Sequence, residues 1–413
     1  MSPSTLAVRK RSLLASAALV AGVTALTVLP VLPATTPPSS ALVTNQSYPV
    51  PASGTFTLRG HGYGHGHGMS QYGAYGAARQ GLGYRRIADF YYPGTSWGST
   101  RSRMRVHVTS DTTTDLVVSP AAGLRVHDLG SGAAYPLPAI PGVKRWRLNV
   151  DGNKTVVGYL TSAWHRYQPG GRATLVGDGQ FGADVPLTLW TPSGSRTYRG
   201  GLRAASPTPG TSARDTVNIV SLDAYVQGVI AAEMPASWSP EAVKAQAVAA
   251  RTYAAWSRDQ NLDRYWHICD TTSCQVYRGL SAEDDRSNAA VAATARQILT
   301  YGGAAAFTQF SSSSGGWLSA GSRPYLVAKP DPYDDHAANP VHDWTLKLSA
   351  GRIENAYPGI GRLNRLRVIR RDGNGQWGGR VVTIVLDGRR KDVTISGDTF
   401  RFRFGLRSTW FAA

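Results

Sequence analysis

The chain has 413 residues, and its 44 lysines and arginines outnumber 26 acidic residues, giving a formal net charge of +18. One apolar segment near the N-terminus approaches membrane-spanning length, and the sequence has no repeat of the solenoid type. These features exclude a protein built from several membrane spans and a repeat array. The length allows two or three domains, and we favour one large unit with an embedded β-rich segment.

The N-terminal segment has the pattern of a secretory signal peptide. Three basic residues at positions 9 to 11 precede an uncharged apolar run over residues 13–32, and small residues follow. Several prolines interrupt or follow the run, which favours cleavage over the alternative of an uncleaved membrane anchor. We therefore predict a signal peptide with the start of a linker over residues 1–41, the linker itself over 42–54, and an exported protein.

The remaining chain divides into three predicted segments. A glycine- and histidine-rich block with a short helix over residues 69–80 is followed by a β-rich subdomain and then by a segment that carries most of the helix. Their bounds are 55–100, 101–211 and 212–413. In the last segment we predict helices over 222–257 and 287–298 and strands over 365–404. The expected fold class is α+β, with antiparallel β-rich structure and a compact helical insertion that carries Glu233.

Glu233 is the residue whose position is most informative. A short buried strand and a helix precede it, and Met234 and Pro235 end that helix, since the residue before proline leaves the helical region. Ser239 and Pro240 then predict the start of a second helix. A carboxylate in an otherwise uncharged hinge could act as a catalytic acid. The alternative is that Glu233 pairs with an arginine at a helix end.

Two further groups of residues could carry chemistry. His61, His65 and His67 share the loop GHGYGHGHG, where they could bind a metal or could hydrogen-bond to a ligand or to neighbouring backbone. The two cysteines, Cys269 and Cys274, favour a disulfide in an exported protein. The alternative is a zinc site that also uses His267.

Five blocks together resemble the stage II sporulation protein D family (SpoIID/LytB-type domain). They are residues 60–95, 217–256, 269–279 and 310–316, and a closing β segment over 378–411. Members of this family look like enzymes that cleave the glycan strands of the bacterial cell wall. The family's usual order has the GHG-containing block last, whereas here it comes first, as a circular permutation would place it.

The resemblance implies that Glu233 is the catalytic acid and that the matching blocks supply a substrate-binding set. That set is His65, Ser70, Gln71, Tyr72, Gln246, Arg251, Gln275, Tyr277, Ser312, Ser313 and Trp317. Because the family keeps only the GHG of the histidine loop, we favour sugar contact or local architecture over a metal. Ser273 stands where many relatives have a histidine, which weakens the zinc alternative. We therefore predict no cofactor.

The expected function is glycan-strand cleavage of peptidoglycan by a lytic transglycosylase, which needs only one acid/base residue. Asp223 and Glu241 are typical of helix N-termini, although folding could bring Asp270, Asp284 or Asp285 close. The alternatives are a hydrolytic muramidase, a non-catalytic peptidoglycan-binding protein and an activator of another wall hydrolase. Export and positive charge favour anionic cell-wall polymers as partners over nucleic acid, and an extracellular or wall-associated location.

Overall fold

The computed structural model describes residues 42–413, so the predicted signal peptide over residues 1–41 lies outside the described residues. The predicted α+β class is confirmed, with 23% of the described residues in helices and 34% in strands. Nearly all the strand pairs are antiparallel. Within residues 42–413 no helix is long and apolar enough to cross a membrane.

The glycine- and histidine-rich block combines short strands with two helices. Its elements are β1 (Leu42–Pro49), β2 (Thr55–His61), β3 (Met69–Ser70), α1 (Gln71–Arg79), α2 (Tyr84–Tyr91) and β4 (Ser96–Ser99). Ser70 caps α1 because its side chain accepts a hydrogen bond from the Gly73 N–H. The predicted helix over 69–80 is therefore confirmed as α1, whereas α2 was not predicted.

The middle of the chain forms two antiparallel sheets whose inner faces share one hydrophobic core. The strands are β5 (Arg103–His107), β6 (Leu116–Val118), β7 (Arg125–Asp128), β8 (Ala134–Pro136), β9 (Arg145–Asp151), β10 (Lys154–Leu160), β11 (Trp164–Tyr167), β12 (Gly179–Gly182), β13 (Leu187–Thr191), β14 (Gly194–Tyr198), β15 (Gly201–Ala205) and β16 (Asp215–Ser221). One sheet has the order β11-β10-β9-β6-β13-β14, and the other contains β5-β16-β15-β12-β7-β8.

The helical part follows β16 directly. Its elements are α3 (Leu222–Glu233), α4 (Pro240–Gln260), β17 (Ile268–Cys269), α5 (Asp285–Ala293), β18 (Gln297–Tyr301), β19 (Ala304–Ala305), β20 (Phe310–Ser311), β21 (Trp317–Leu318) and β22 (Lys329–Pro330). The alanine-rich α4 is buried along most of its length and packs against α1, α2, α3 and α5. The two predicted helices on either side of the hinge are confirmed, although the Ser239 side chain makes no capping hydrogen bond.

The last part of the chain pairs with the first two strands. Its elements are β23 (Asp343–Ser349), α6 (Ala350–Ala356), β24 (Leu363–Arg371), β25 (Val381–Gly388), β26 (Val393–Ser396), α7 (Gly397–Phe404) and β27 (Phe411–Ala412). β1 pairs with β24, and β2 lies between β23 and β27. Phe56 and Leu58 of β2 share a separate hydrophobic core with Phe400 and Phe411.

Two predictions of secondary structure were wrong. The alternating sequence TFRFRF favoured a strand, but it forms α7, because the Ser396 side chain caps the helix and Gly405 ends it in the left-handed region. The helix predicted over 287–298 ends at Ala293, and Arg296 has a positive φ of 65° before β18 begins. In both places the helix boundaries were set by caps and turns instead of by hydrophobic periodicity.

Candidate active site

Glu233 is the last residue of α3. The helix begins with the Ser221 side chain accepting a hydrogen bond from the Ala224 N–H, and it ends because Met234 is extended before Pro235. The Val276 N–H donates to Oε1 of Glu233 at 2.8 Å. This contact fixes the carboxyl group at the wall of a cleft of about 260 Å³.

The cleft contains one carboxyl group. Its lining residues are His65, Glu233, Tyr253, Thr272, Ser273, Cys274, Val276, Gln309 and Phe310. Burial raises the pKa of Glu233 above the usual carboxyl value, and the Val276 N–H only partly opposes the rise. Among the described residues Glu233 has no ion-pair partner, so the alternative of a structural pair with an arginine was wrong.

His65 reaches this cleft from the GHG loop. Tyr63, His65 and His67 are each flanked by glycines with positive φ, and a Cβ on Gly64 would lie 2.5 Å from the Cβ of Ser311. Backbone hydrogen bonds between Tyr63 and Ser313 fasten the loop, with N–O distances of 2.9 and 3.1 Å. Because glycine has no side chain, the backbone of this loop can lie close to Ser311. His65 then lines the same cleft as Glu233.

The protonation state of His65 follows from its surroundings. Burial, together with the neighbouring His67 and Arg380, lowers the pKa of His65 to about 3. Its Nδ1 accepts a hydrogen bond from the His67 N–H at 2.9 Å, so the proton of the neutral ring is on Nε2. His65 is thus a neutral side chain near neutral pH.

The three loop histidines do not converge on one point. His65 and His67 stack on each other with ring centroids 5.0 Å apart, whereas Nδ1 of His61 lies 2.5 Å from Oδ1 of Asp343. The ligand atoms of His61, His342 and Asp343 lie within 4.8 Å of one another, so these residues could hold a metal ion. This group differs from the three-histidine arrangement that the sequence allowed.

Asp334 binds the serine loop, residues 311–316, which lies beside the GHG loop. Its carboxylate has no exposed surface and accepts hydrogen bonds from Ser70 Oγ at 2.5 Å, Ser313 Oγ at 2.7 Å and His342 Nδ1 at 3.0 Å. The N–H groups of Ser314 and Gly315 donate to it as well. Burial alone would raise the pKa of Asp334, but these hydrogen bonds lower it below its usual value.

Residues 211–301, which include Glu233 and its helix, match the family model described as SpoIID, Stage II sporulation protein. Stage II sporulation protein D of Bacillus subtilis (strain 168) is 31% identical over 223 residues, 48% of this chain and 62% of that protein. The protein of the same name from Bacillus amyloliquefaciens is 30% identical over 224 residues, 48% of this chain and 61% of that protein. This part of the chain is therefore similar to the stage II sporulation protein D family.

A shorter similarity connects the chain to another kind of relative. The amidase enhancer of Bacillus subtilis (strain 168) is 41% identical over 135 residues, 31% of this chain and 17% of that protein. The matched regions span less than two thirds of the length of each of these relatives. Each similarity therefore covers only a part of this chain and a part of the relative.

Of the substrate-binding residues predicted from the SpoIID resemblance, only His65 lines the cleft. Gln71 is close to it, because its Nε2 donates to the backbone carbonyl of Glu233 at 2.9 Å and also contacts Gln246. Tyr72 packs against Trp238 in the hinge that follows Glu233, with ring centroids 4.7 Å apart. Gln71 and Tyr72 therefore support the Glu233 hinge.

Several of the other predicted substrate-binding residues are buried and hold the scaffold. Arg251 has no exposed surface and donates to Asp223 at 2.7 Å, and Gln246 is equally buried. Ser70 and Ser313 bind Asp334. In the described structure these side chains have no surface on the cleft, and their contacts hold the scaffold.

Four predicted residues lie around the serine loop and the cysteine loop, residues 269–274. Ser312 accepts a hydrogen bond from the Tyr72 N–H through its backbone carbonyl at 2.9 Å, and Trp317 pairs with Pro330 between β21 and β22. Gln275 receives a hydrogen bond from Tyr225, whereas Tyr277 donates one to Asn218. None of these lines the cleft, and the buried Gln275 and Tyr277 have structural contacts in place of the predicted substrate contact.

The cysteine loop forms one wall of the cleft. Cys269 and Cys274 are joined in a disulfide, as favoured from the sequence over zinc. His267 is engaged elsewhere, because Arg105 Nε donates to its Nε2 at 2.8 Å. The disulfide closes the segment that presents Ser273 and leads to Val276, whose N–H binds Glu233.

Removing this disulfide should destabilise the protein. We expect Cys269→Ala/Cys274→Ala to lose roughly 2 kcal/mol in free energy of unfolding, since the closed loop is short. The effect is measured by urea unfolding of the wild type and of the double variant, each with and without dithiothreitol. Dithiothreitol should lower the midpoint of the wild type and leave that of the variant unchanged, because the variant has no disulfide to reduce. Identical midpoints for the oxidised and reduced protein would contradict the prediction.

Sequence reasoning did not identify six of the residues that line the cleft, namely Tyr253, Thr272, Ser273, Val276, Gln309 and Phe310. Tyr253 comes from α4, and Gln309 and Phe310 directly precede the serine loop. Thr272 lies between the two cysteines, where the predicted disulfide was the one signal that could have identified a fixed loop.

Proposed function

We propose that the protein is an exported enzyme that cleaves peptidoglycan glycan strands as a lytic transglycosylase, with Glu233 as the general acid and then the general base. The observation that carries the proposal is the single carboxyl group of the cleft, whose pKa is raised by burial. The similarity to a stage II sporulation protein D and to an amidase enhancer supports a function in the cell wall.

The reaction needs one residue that first donates and then accepts a proton. Protonated Glu233 gives its proton to the glycosidic oxygen as the bond between that oxygen and the anomeric carbon of a muramic acid residue breaks. The C6 hydroxyl of the same muramic acid residue then attacks the anomeric carbon, and its proton passes to the Glu233 carboxylate. The products are a 1,6-anhydro end and a new hydroxyl on the leaving sugar, and no water is consumed.

The positions of the other carboxylates support this reaction over hydrolysis. Asp270 accepts hydrogen bonds from Thr109, and Asp284 caps α5. Asp223 pairs with Arg251, and Glu241 pairs with Lys244. None of these carboxylates lines the cleft, so none is positioned in the described structure to activate a water molecule beside Glu233.

A second candidate is a non-catalytic activator of another wall hydrolase, which the amidase enhancer similarity favours. The test is to incubate the protein with purified peptidoglycan, both intact and stripped of stem peptides, and to analyse soluble products by mass spectrometry. Products with 1,6-anhydro ends support transglycosylation, whereas reducing ends indicate a muramidase. Wall binding without products would contradict the enzymatic proposal and favour the activator.

The pH dependence of cleavage should report the raised pKa of Glu233. The first step requires the protonated acid, so kcat/KM should fall as the pH rises through the folded pKa. Because burial raises that pKa, the falling limb should lie above the usual carboxyl value of 4.5. Glu241→Gln is the control, since Glu241 lies outside the cleft and its loss should not move the limb. A limb at the usual carboxyl value would contradict the assignment.

A further inference from the structure

On the outer face of the sheet β11-β10-β9-β6-β13-β14, arginine side chains lie next to tryptophan side chains. In an antiparallel sheet, directly opposed residues project to the same side. Arg147 of β9 lies opposite Gly158, which lies opposite Arg166 of β11. On the other side Arg147 opposes Val117, which opposes Trp190 of β13. The alternate residues of β9, Trp146 and Leu148, are buried in the core, so Arg145 and Arg147 face outward.

Each of these two arginines stacks on a tryptophan. The guanidinium carbon of Arg145 lies 4.0 Å from the ring centroid of Trp190, and that of Arg147 lies 4.1 Å from the ring centroid of Trp164. Among residues 42–413 neither arginine has an ion-pair partner. No acidic side chain among the described residues therefore neutralises the charges of Arg145 and Arg147.

Stacking prepares the guanidinium groups for an anion. A ring that covers the flat face of a guanidinium restricts its rotamers but leaves the N–H groups at its edge free to bind. Arg145 and Arg147 are two positions apart on one strand, so their backbones are separated by about 7 Å. Each planar fork matches two oxygens of a phosphate. The arrangement suits successive anionic groups along an extended polymer.

A comparison within the chain shows that this arrangement is not typical of its arginines. Arg365 and Arg367 also lie two positions apart on a strand, but both contact Asp387, and Arg367 contacts Asp392 as well. Their charges are neutralised internally. The pair on β9 has the same spacing, but neither guanidinium contacts an acidic side chain, since Asp151 of the same strand pairs with Arg166. The two free charges point to an external anion.

We propose that the outer face of the sheet β11-β10-β9-β6-β13-β14, around Arg145 and Arg147, binds the phosphodiester groups of an anionic cell-wall polymer. The choice of a wall polymer rests on the proposed function, and it agrees with the net charge of +18. None of these residues lines the Glu233 cleft. The surface retains the enzyme at the wall independently of the cleavage step.

The test measures binding of Arg145→Gln/Arg147→Gln to cell walls that retain their phosphodiester polymers and to walls stripped of them by hydrofluoric acid. All proteins carry Glu233→Gln so that walls stay intact. Arg365→Gln/Arg367→Gln is the matched control, because it removes the same charge from the same spacing. Binding to soluble poly(glycerol phosphate), poly-glutamate and duplex DNA is measured over a range of salt concentrations.

We expect the β9 double variant to bind intact walls and poly(glycerol phosphate) roughly tenfold more weakly, with a shallower salt dependence, while the control is unchanged. Stripped walls should bind the unsubstituted β9 surface as weakly as the variant binds intact walls. Arg145→Lys/Arg147→Lys should retain part of the affinity, because the charge remains but the planar fork is lost. This second variant also provides a folded comparison if the glutamine variant unfolds.

Equal losses in the two glutamine variants would overturn the proposal, since they would reflect net charge alone. Undiminished binding to stripped walls would overturn it too, as would a preference for poly-glutamate or DNA over poly(glycerol phosphate). Cleavage of polymer-free glycan strands by the proteins with Glu233 restored is measured separately. Cleavage without selective polymer binding contradicts only this inference, whereas polymer binding without cleavage contradicts only the proposed enzymatic function.

Discussion

Glu233→Gln should reduce glycan cleavage by about 10²- to 10⁴-fold, the usual contribution of a general acid or base. Glutamine has nearly the same shape, and its amide oxygen can still accept the Val276 N–H that binds Oε1 of Glu233 at 2.8 Å. It cannot give a proton to a departing sugar oxygen. The loss should therefore appear in kcat, with KM for the glycan little changed.

The folded state of this variant should be at least as stable as the wild type. Glu233 has no ion-pair partner among the described residues, and burial disfavours its charged form. Mass spectrometry of the released sugars measures activity, and thermal unfolding measures stability. Glu241→Gln is a control at a carboxylate outside the cleft, where Lys244 is the partner. Retention of 1,6-anhydro products by Glu233→Gln would remove Glu233 from the mechanism.

Asp334→Asn should cause a large loss of stability for a conservative substitution. The carboxylate is fully buried and accepts hydrogen bonds from side chains of Ser70, Ser313, Asn339 and His342 and from backbone N–H groups. An asparagine would turn an NH₂ group toward some of these donors and leave them unpaired. We expect a loss of about 3–5 kcal/mol in free energy of unfolding, the range for breaking a buried charged pair.

The neighbouring residue provides the control. The Asp335 side chain is 80% exposed and lies 3.9 Å from Nε2 of His342, so Asp335→Asn should change stability by less than about 1 kcal/mol. Urea unfolding of both variants is compared at neutral pH. Because hydrogen bonding lowers the pKa of Asp334 in the folded state, its contribution is present above the usual value of 3.8 and is lost on acidification. Equal stability of the two variants would contradict the assigned role.

The sequence predicted those features that depend on neighbours along the chain. The Met234-Pro235 dipeptide located the end of α3 at Glu233, and two cysteines five positions apart indicated the disulfide. The α+β class followed from separate stretches of strand and helix patterns. The TFRFRF segment failed because its capping residues outweighed its alternation.

The features that failed or were missed depend on contacts between distant residues. Ser70 and Asp334 are 264 positions apart, so no local pattern indicates that they form one hydrogen-bond network. The resemblance marked Ser70, Ser313 and Arg251 as important without distinguishing a substrate contact from a scaffold contact. Burial, which decides that distinction, becomes known only when the chain is folded.

The pairing of the first strands with the last has a consequence for the stage of synthesis at which the cleft can form. Ser408 donates to the carbonyl of His61, 347 positions earlier, and the Gly64 N–H bonds to Arg407. The loop that bears His65 is made early but lacks these supports until the final strand has emerged. A nascent or prematurely terminated chain therefore lacks a fixed histidine loop beside Glu233 until the last strand has been made.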